Sequence, residues 1–308
     1  MKFKTVAILG AGAVGAYFIW GLSEKLDENL WIVADGERKA RLEKEGILIN
    51  GKRYPLHVRT PKEAHGADLL LISTKYGALQ SILEDVDTVV DEHTVVMSLL
   101  NGVDSEEIIG ARIGMEHMVY SMMKIASERK GSSIVFDAPS TLGVYFGEAG
   151  RSTPSERMLA IEELFRDTGI HSHMCEDIIR DIWYKYAFNV SRNQPQAMVS
   201  CGVGAYEDSE HMAYLCRKLQ EEVVAVAAAK GIDISSMESD VGKGSPSNKG
   251  ARYSTLQDLD AKRHTEVDMF AGAMVRMGKE LSIPTPYNDF TYHSIKALEE
   301  KNDGKFDY

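Results

Sequence analysis

The sequence predicts an α/β protein in which an N-terminal doubly wound parallel sheet is followed by an all-α C-terminal domain. Short apolar strand-like runs alternate with helix-like runs through the first half, and the last part carries helical patterns alone. At 308 residues the chain is longer than one hydrophobic core usually serves. We therefore expect two domains, residues 1–174 and 175–308.

The first half opens with "TVAIL", whose β-branched and apolar residues are typical of a strand buried on both faces. Asn50-Gly51 marks a hairpin turn, and Gly46 and Gly169 each close a helical pattern. The predicted strands are 5–9, 30–34, 67–74, 94–100 and 170–177, and the predicted helices are 13–25, 37–46, one ending near 86, and 155–169.

The remainder of the chain reads as helix. The predicted helices are 177–193, 207–231, 253–281 and 286–301. A glycine-, serine- and lysine-rich stretch, "GKGSPSNKG" at 242–250, predicts a loop between two of them.

Composition narrows the class of partner. The net charge of −11 disfavours nucleic acid and anionic membranes as binding partners.

No apolar run approaches the roughly 20 residues that span a bilayer, and no leader pattern precedes the first strand. Three cysteines without a paired spacing fit free thiols in a reducing compartment. We expect a cytoplasmic protein.

A glycine-rich turn joins the first strand to the first helix. It reads Gly10-Ala11-Gly12-Ala13-Val14-Gly15, a GxGxxG motif in the context that a dinucleotide-binding domain of the Rossmann type requires. The first glycine permits the turn, the second lets a pyrophosphate approach the backbone, and the third lets helix and strand pack closely. The helix N-terminus then offers N–H groups to the phosphates.

The second strand ends near Asp35, where this motif places an acid that binds the adenine ribose hydroxyls. A carboxylate there repels a 2′-phosphate, so Asp35 favours NAD over NADP. Arg38 and Lys39 follow closely and could restore some NADP binding. Asp35 could equally be the N-cap of the next helix, and the two roles are compatible.

A polar column runs along the otherwise apolar helix that contains "DIWYKYAFNVSRNQ". Lys185, Asn189 and Asn193 recur at steps of four and therefore share one face. A lysine desolvated by aromatic neighbours can serve as a general acid, and amides one and two turns on can orient a substrate. The alternative is a lysine extending along a helix edge to solvent, with two incidental asparagines.

A second polar stripe lies in "YSTLQDLDAKRHTEVD". On one continuous helix Ser254, Asp258 and Glu266 would lie close to one face. Such a stripe is commonly only the solvated side of a helix, so spacing alone leaves both readings open.

At these residues the sequence resembles the ketopantoate reductases (2-dehydropantoate 2-reductases). The resemblance spans nearly the whole chain and rests on motifs that recur in order: "ILGAGAVG", "STK" ending at Lys75, "LLNGV" around Asn101, "WYKYAFN" and "STLQDLDAKRHTEVD". It implies a Rossmann domain followed by a helical domain, with the active site between them, and a homodimer.

The resemblance also implies residue roles. Lys185 matches the family's general acid, and Glu266 matches the carboxylate that anchors the substrate hydroxyl. Lys75 and Asn101 match residues beside the nicotinamide and the reacting carbonyl, with Asn101 serving both cofactor and substrate. The matching substrate-binding residues are Asn101, Asn189, Asn193 and Ser254.

Two departures leave rival functions open. The family commonly has an arginine where Asp35 stands, and its asparagine–proline step is displaced here, to Pro195. Both favour a sister activity, an NAD-dependent D-2-hydroxyacid dehydrogenase. A rival of another class is a dinucleotide-binding sensor without turnover.

One further cluster has a spacing that a metal could use. His171, His173 and Cys175 alternate along a predicted strand and so point to one side of it. Because no fourth ligand lies nearby in the sequence, we predict no metal site.

Overall fold

We describe a computed structural model of the chain, in which residues 1–130, 133–151, 153–236, 248–306 and 308 are described. The chain divides into two compact units, Met1–Ile179 and Arg180–Tyr308. The predicted boundary near residue 174 lies just before the long helix that opens the second unit. In the described part of the chain, no helix is both long and apolar enough to cross a membrane.

The first unit is built on an eight-stranded sheet and a four-stranded sheet. The eight-stranded sheet has the order β12-β11-β8-β7-β6-β1-β2-β5, and the four-stranded sheet has the order β4-β3-β10-β9. The strands are β1 Val6–Leu9, β2 Leu30–Val33, β3 Ile47–Ile49, β4 Lys52–Tyr54, β5 His57–Arg59, β6 Leu69–Ile72, β7 Val95–Ser98, β8 Met118–Lys124, β9 Ser127–Lys130, β10 Ser133–Phe136, β11 Gly143–Gly147 and β12 Ser172–Met174.

In the larger sheet, the neighbouring strands β5-β2-β1-β6-β7-β8 all pair in parallel, and β8 pairs antiparallel with β11. Successive residues of β1 enter opposite cores: Val6 and Ile8 pack in one, Ala7 and Leu9 in the other. Burial on both faces explains why the strand is a continuous apolar run. The predicted doubly wound parallel sheet is confirmed.

In the described part of the first unit the α-helices are α1 Ala13–Leu26, α2 Gly36–Glu45, α3 Leu79–Val89, α4 Ser105–Ile113 and α5 Glu156–Phe165. The predicted strand 67–74 shortens to β6, because Ser73 and Thr74 already belong to the turn that leads to α3.

The predicted hairpin at Asn50-Gly51 is confirmed. Asn50 and Gly51 both have positive φ, +49° and +80°, and join the antiparallel strands β3 and β4. The Asn50 side chain also accepts a hydrogen bond from the Phe136 amide at 3.0 Å. This bond ties the hairpin to β10, which the sequence analysis did not predict.

The described residues of the second unit form helices and connecting loops, as predicted. The helices are α6 Ile178–Val199, α7 Ala205–Asp208, α8 Glu210–Ala229, α9 Ser254–Asp260, α10 Ala271–Leu281 and α11 Pro286–Asn302. The predicted helix 207–231 is two helices, because the Ser209 hydroxyl caps α8 by accepting from the Met212 amide at 3.3 Å. Of the predicted loop 242–250, residues 242–247 lie outside the described residues.

The single helix predicted over 253–281 is wrong. α9 ends at Asp260, α10 begins at Ala271, and residues 261–270 form a non-helical connection. Lys262 has φ +51°, which an α-helix does not accommodate. Ser254 and Glu266 therefore do not share one helix face, and the residue next to Glu266, Thr265, bonds to Glu299 of α11.

Pro195 lies inside α6 and interrupts its hydrogen bonding. The hydroxyl of Tyr206 fills the gap: it accepts from the Gln196 amide at 3.1 Å and donates to the Arg192 carbonyl. Tyr206 is buried, and burial raises the pKa of its hydroxyl. One side chain from α7 thus keeps α6 continuous past its proline.

Candidate active site

The glycine turn has the geometry of a phosphate cradle. Gly10 has φ +112°, and a Cβ there would lie 2.7 Å from the Ser73 carbonyl carbon. A Cβ on Gly15 would lie 2.0 Å from the Gly10 oxygen, so α1 packs directly on the turn. At Gly12 the nearest atom to such a Cβ is 4.0 Å away, which leaves room for a ligand above the backbone. Ala13 and Val14 begin α1, whose first-turn N–H groups have no acceptor within the helix.

A cleft of about 940 Å³ opens beside this turn. Its walls include Ala11 and Gly12 of the turn, and Arg38 and Arg41 of α2. The cleft is large enough for part of a nucleotide. Its lining has three guanidinium groups, Arg38, Arg41 and Arg53, against two carboxylates, Glu37 and Glu45, and so suits an anionic ligand. The residues therefore fit a dinucleotide.

Asp35 occupies the N-cap position of α2 and is exposed. Among the described residues its carboxylate accepts no capping hydrogen bond, so the capping alternative has no support in the geometry. Lys39 is committed elsewhere: its Nζ donates to the Val58 carbonyl at 2.7 Å and pairs with Glu43 at 3.0 Å. Of the two cations Arg38 and Lys39, it is Arg38 that lines the cleft.

Three predicted positions follow neighbouring parallel strands at the same edge of the sheet. Gly10 follows β1, Lys75 follows β6 and Asn101 follows β7, with Leu9 paired to Ile72 and Ile72 paired to Ser98. Carboxyl ends of parallel strands are where open α/β sheets bind ligands. The register thus brings the glycine turn and these two polar side chains to one edge.

A buried polar network lies just behind Asn101. The Ser105 hydroxyl donates to Glu106 Oε2 at 2.8 Å and lies 2.8 Å from the Ser98 hydroxyl, while Ser121 donates to the Ser98 carbonyl. Burial raises the pKa of Glu106 from its ordinary value to about 7. The network joins β7, α4 and β8 below the turn that carries Asn101.

In the second unit, the structure places Lys185, Asn189 and Asn193 on α6, at the predicted helical spacing. Lys185 is half-buried, and its sequence neighbours Trp183 and Tyr186 are buried with their ring centroids 5.8 Å apart. Asn193 is 6% exposed, and its Nδ2 lies 3.5 Å from Ser254 Oγ. Two predicted substrate-binding residues from distant parts of the chain therefore meet.

Buried side chains of α6 hold the segments that carry Ser254 and Glu266. Gln196 accepts from the Tyr253 amide at 2.7 Å, beside Ser254. The Tyr186 hydroxyl donates to the Phe270 carbonyl at 2.7 Å, and Gln194 accepts from the Ala271 amide at 3.1 Å. Side chains of the part of α6 that follows Lys185 thus bond to both segments.

Two family models together cover most of the chain. The model described as "Ketopantoate reductase PanE/ApbA" matches residues 6–150, and the model described as its C terminal matches residues 177–299. The chain belongs to the ketopantoate reductase family. Membership makes it an NAD(P)-dependent oxidoreductase that acts on CH–OH groups.

Named relatives align along nearly the full length of this ketopantoate reductase family member. It is 25% identical over 303 residues to a 2-dehydropantoate 2-reductase of Streptococcus pyogenes serotype M3, covering 96% of this chain and 97% of that one. A solved structure of D-mandelate dehydrogenase with NADH and anilino(oxo)acetate has a TM-score of 0.82 at 22% identity, covering 97% and 99%. The solved structure of a dimeric ketopantoate reductase from Staphylococcus aureus has a TM-score of 0.76 at 20% identity, and the match covers 97% of this chain and 99% of that one.

Some candidates in this ketopantoate reductase fold have other roles. The ring nitrogens of His171 and His173 lie 2.6 Å and 2.9 Å from the carbonyl oxygens of Thr141 and Leu142. Asp258, the middle member of the predicted stripe, pairs with Arg263 at 2.8 Å. These contacts stabilise turns within each unit.

Four residues that bond to the segments bearing Ser254 and Glu266 were not predicted from the sequence: Tyr186, Gln194, Gln196 and Glu299. All four are nearly or fully buried. Gln194 and Gln196 carried a usable signal, since uncharged amides within an apolar helix must find hydrogen-bond partners. Glu299 carried none, because it stands in a charged run at the end of its helix.

Proposed function

We propose that this protein reduces the C2 carbonyl of a small 2-keto acid, ketopantoate to pantoate, with Lys185 as general acid. The observation that carries the proposal is the set of buried and partly buried bonds from α6, the helix of Lys185, to the segments that bear Ser254 and Glu266. These bonds connect the segments that bear the proposed donor, anchor and polar binding residue within one unit, and named relatives in the family are 2-dehydropantoate 2-reductases.

The chemistry needs a hydride and a proton. Bound NAD(P)H supplies the hydride to C2, and negative charge develops on the carbonyl oxygen. The Lys185 ammonium donates its proton to that oxygen, which completes the alcohol. Glu266 accepts a hydrogen bond from the new hydroxyl, while Asn101, Asn189, Asn193 and Ser254 bind the remaining polar groups of the substrate.

For the cofactor, we propose that the turn Gly10–Gly15 and the first turn of α1 hold the pyrophosphate, with Lys75 and Asn101 beside the nicotinamide. Asp35 favours NAD, because its carboxylate would repel a 2′-phosphate. Arg38 and Arg41 in the adjacent cleft give a 2′-phosphate some compensation. We therefore expect use of both cofactors, with a modest preference for NADH.

A second candidate is an NAD-dependent D-2-hydroxyacid dehydrogenase. Its support is Asp35 together with the full-length likeness to D-mandelate dehydrogenase, whose structure holds NADH. The two candidates differ in the side chain of the keto acid and share the proposed roles of Lys185 and Glu266. A homodimer is also proposed, supported by the dimeric relative; a monomeric mass by light scattering would contradict it.

The decisive experiment measures NADH and NADPH oxidation with a panel of aliphatic and aromatic 2-keto acids. Ketopantoate as the best substrate supports the first candidate, and an aromatic keto acid supports the second. Lys185→Ala is expected to lower kcat by about 10²–10⁴-fold, the usual contribution of a general acid. Lys279→Ala, at an exposed position in α10, is the matched control and should behave as the wild type.

Dinucleotide binding is measured in parallel by fluorescence titration. Lys185→Ala should retain the wild-type Kd, because the proposed cofactor residues lie in the other unit. Binding without turnover by the wild type would instead identify a dinucleotide sensor. Undiminished turnover by Lys185→Ala would remove Lys185 from the mechanism.

A further inference from the structure

The connection that carries Glu266 depends on other elements for its shape. Residues 261–270 lie between α9 and α10 outside regular secondary structure, and isolated turns order them locally, as where the Glu266 carbonyl accepts from the Met269 and Phe270 amides at 3.0 Å and 3.2 Å. A substrate anchor in such a segment needs tertiary contacts, because a displacement of about 1 Å can cost about 10² in rate.

Glu299 of α11 makes the closest of these contacts. Its side chain is 1% exposed, and Oε1 accepts from both the amide and the hydroxyl of Thr265, at 2.7 Å and 2.6 Å. Lys296 Nζ lies 2.8 Å from Oε2. A buried carboxylate is costly unless it is paired and hydrogen-bonded, and here Thr265 and Lys296 supply both.

Other side chains of α11 and of its C-cap residue hold the flanks of the same connection. The Tyr292 hydroxyl donates to Asp268 at 2.9 Å, and the C-cap residue Asp303 lies 2.9 Å from His264 Nε2. With Lys296 and Glu299, these side chains recur at three- and four-residue steps and form one polar face of α11 and its C-cap. The face contacts residues on both sides of Glu266.

We propose that Glu299 is a positioning residue that orients Glu266 through Thr265. The amide and the hydroxyl of Thr265 both donate to the same oxygen of Glu299. These two bonds fix both the peptide plane and the side-chain rotamer of Thr265, the residue next to Glu266. Tyr186 of α6 holds the far end of the connection by its bond to the Phe270 carbonyl. The Glu266 carboxylate is thereby presented from a backbone held at both ends. This inference rests on the proposed function.

The test compares Thr265→Val, Thr265→Ser and Glu299→Gln with wild type. Thr265→Val removes the hydroxyl donor with little change of shape, and Glu299→Gln removes the charge. Both are expected to raise the KM for the keto acid about tenfold or more and to leave the dinucleotide Kd unchanged. Thr265→Ser restores the donor and should return KM toward the wild-type value.

Glu300→Gln is the matched control. Glu300 is the next residue of α11, is 44% exposed and pairs with Lys305 at 2.5 Å. The Glu300→Gln variant undergoes the same chemical change as Glu299→Gln at a residue that does not contact the connection, so its kinetics should match those of the wild type. Assays below the melting temperature of each variant separate a kinetic effect from unfolding.

Hydrogen exchange of a peptide spanning 261–270 gives a readout that does not need turnover. Faster exchange in Thr265→Val and Glu299→Gln, but not in Glu300→Gln, is expected. Wild-type KM and wild-type exchange in both variants of an active enzyme would overturn the role of Glu299 alone. A wild type that reduces no 2-keto acid would overturn the proposed function, and the positioning role with it, even if exchange changed as expected.

Discussion

At the scale of single residues, Glu106 makes the stability of the fold depend on pH. Its side chain is buried against Ser105 and Ser121, and burial raises its pKa to about 7. The pKa of this carboxyl group is higher in the folded state than in the unfolded state, where it is about 4.5. Its contribution to the stability of the fold is therefore complete below pH 4.5. That stabilisation is lost as the pH rises through about 7, because the folded state must then bury a charge.

We expect Glu106→Gln to remove this dependence. Glutamine keeps the shape without the ionisation, so the variant should be more stable than wild type at pH 8, by ~1–3 kcal/mol, and closer to it at pH 5. Urea denaturation at the two pH values measures the difference. Glu107→Gln, its exposed neighbour, is the control, and an identical pH profile for wild type and Glu106→Gln would contradict the assignment.

Residues with a local signature could be predicted from sequence. Gly10 and Gly15 follow from a motif whose steric meaning is fixed by the adjoining strand and helix, and the structure shows the close approaches that the motif implies. Glu299 could not be predicted, because its partner Thr265 is 34 positions away. No local pattern distinguishes its buried carboxylate from that of exposed Glu300.

At the scale of elements, α6 is the helix on which the site depends. Its proline at position 195 lacks the N–H that would bond to the Ser191 carbonyl, and beside this interruption the Tyr206 hydroxyl accepts from the Gln196 amide and donates to the Arg192 carbonyl. The interruption lies just after Asn193 and its contact with Ser254.

Tyr206→Phe should lower the free energy of unfolding by about 1–3 kcal/mol, because two buried backbone groups lose their partner. Chemical denaturation measures the loss. Tyr214→Phe removes an exposed hydroxyl that bonds to Tyr287 at 3.0 Å and serves as the control. Equal stability of the two variants would show that water replaces the Tyr206 hydroxyl.

Elements governed by periodicity were predicted well, and those governed by distant contacts were not. The sequence over 253–281 contains good helix formers, yet the chain leaves the helix after Asp260, where Glu299 and Gln194 bind its backbone. The pairing of the predicted hairpin with β10 was missed for a related reason: β3 pairs with β10, so that Ile49 lies opposite Ile134. Strands of three or four residues whose partner lies so far along the chain carry little local signal.

At the scale of the whole molecule, the proposed cofactor residues and the proposed general acid belong to different compact units. Ligand binding to the folded state stabilises it by about 2.7 kcal/mol when the ligand is at 100 times its Kd. Saturating NADH should therefore raise the melting temperature of the protein, and Lys185→Ala should show the same rise.

Differential scanning fluorimetry over a range of NADH concentrations makes this measurement. Gly12→Val places a branched side chain where the pyrophosphate is expected, and it should abolish the rise while leaving the ligand-free melting temperature near that of wild type. A Gly12→Val protein that NADH still stabilises would move the cofactor away from the glycine turn.

The pairing of β3 with β10 also bears on synthesis. Ile47 and Leu48 of β3 form part of the wall of the arginine-lined cleft, and their strand gains its parallel neighbour only when residues 133–136 are present. A nascent chain that has emerged from the ribosome as far as residue 120 already contains the whole glycine motif. It lacks the parallel neighbour of β3 in the cleft wall, so we expect it to bind a nucleotide more weakly than the whole protein does.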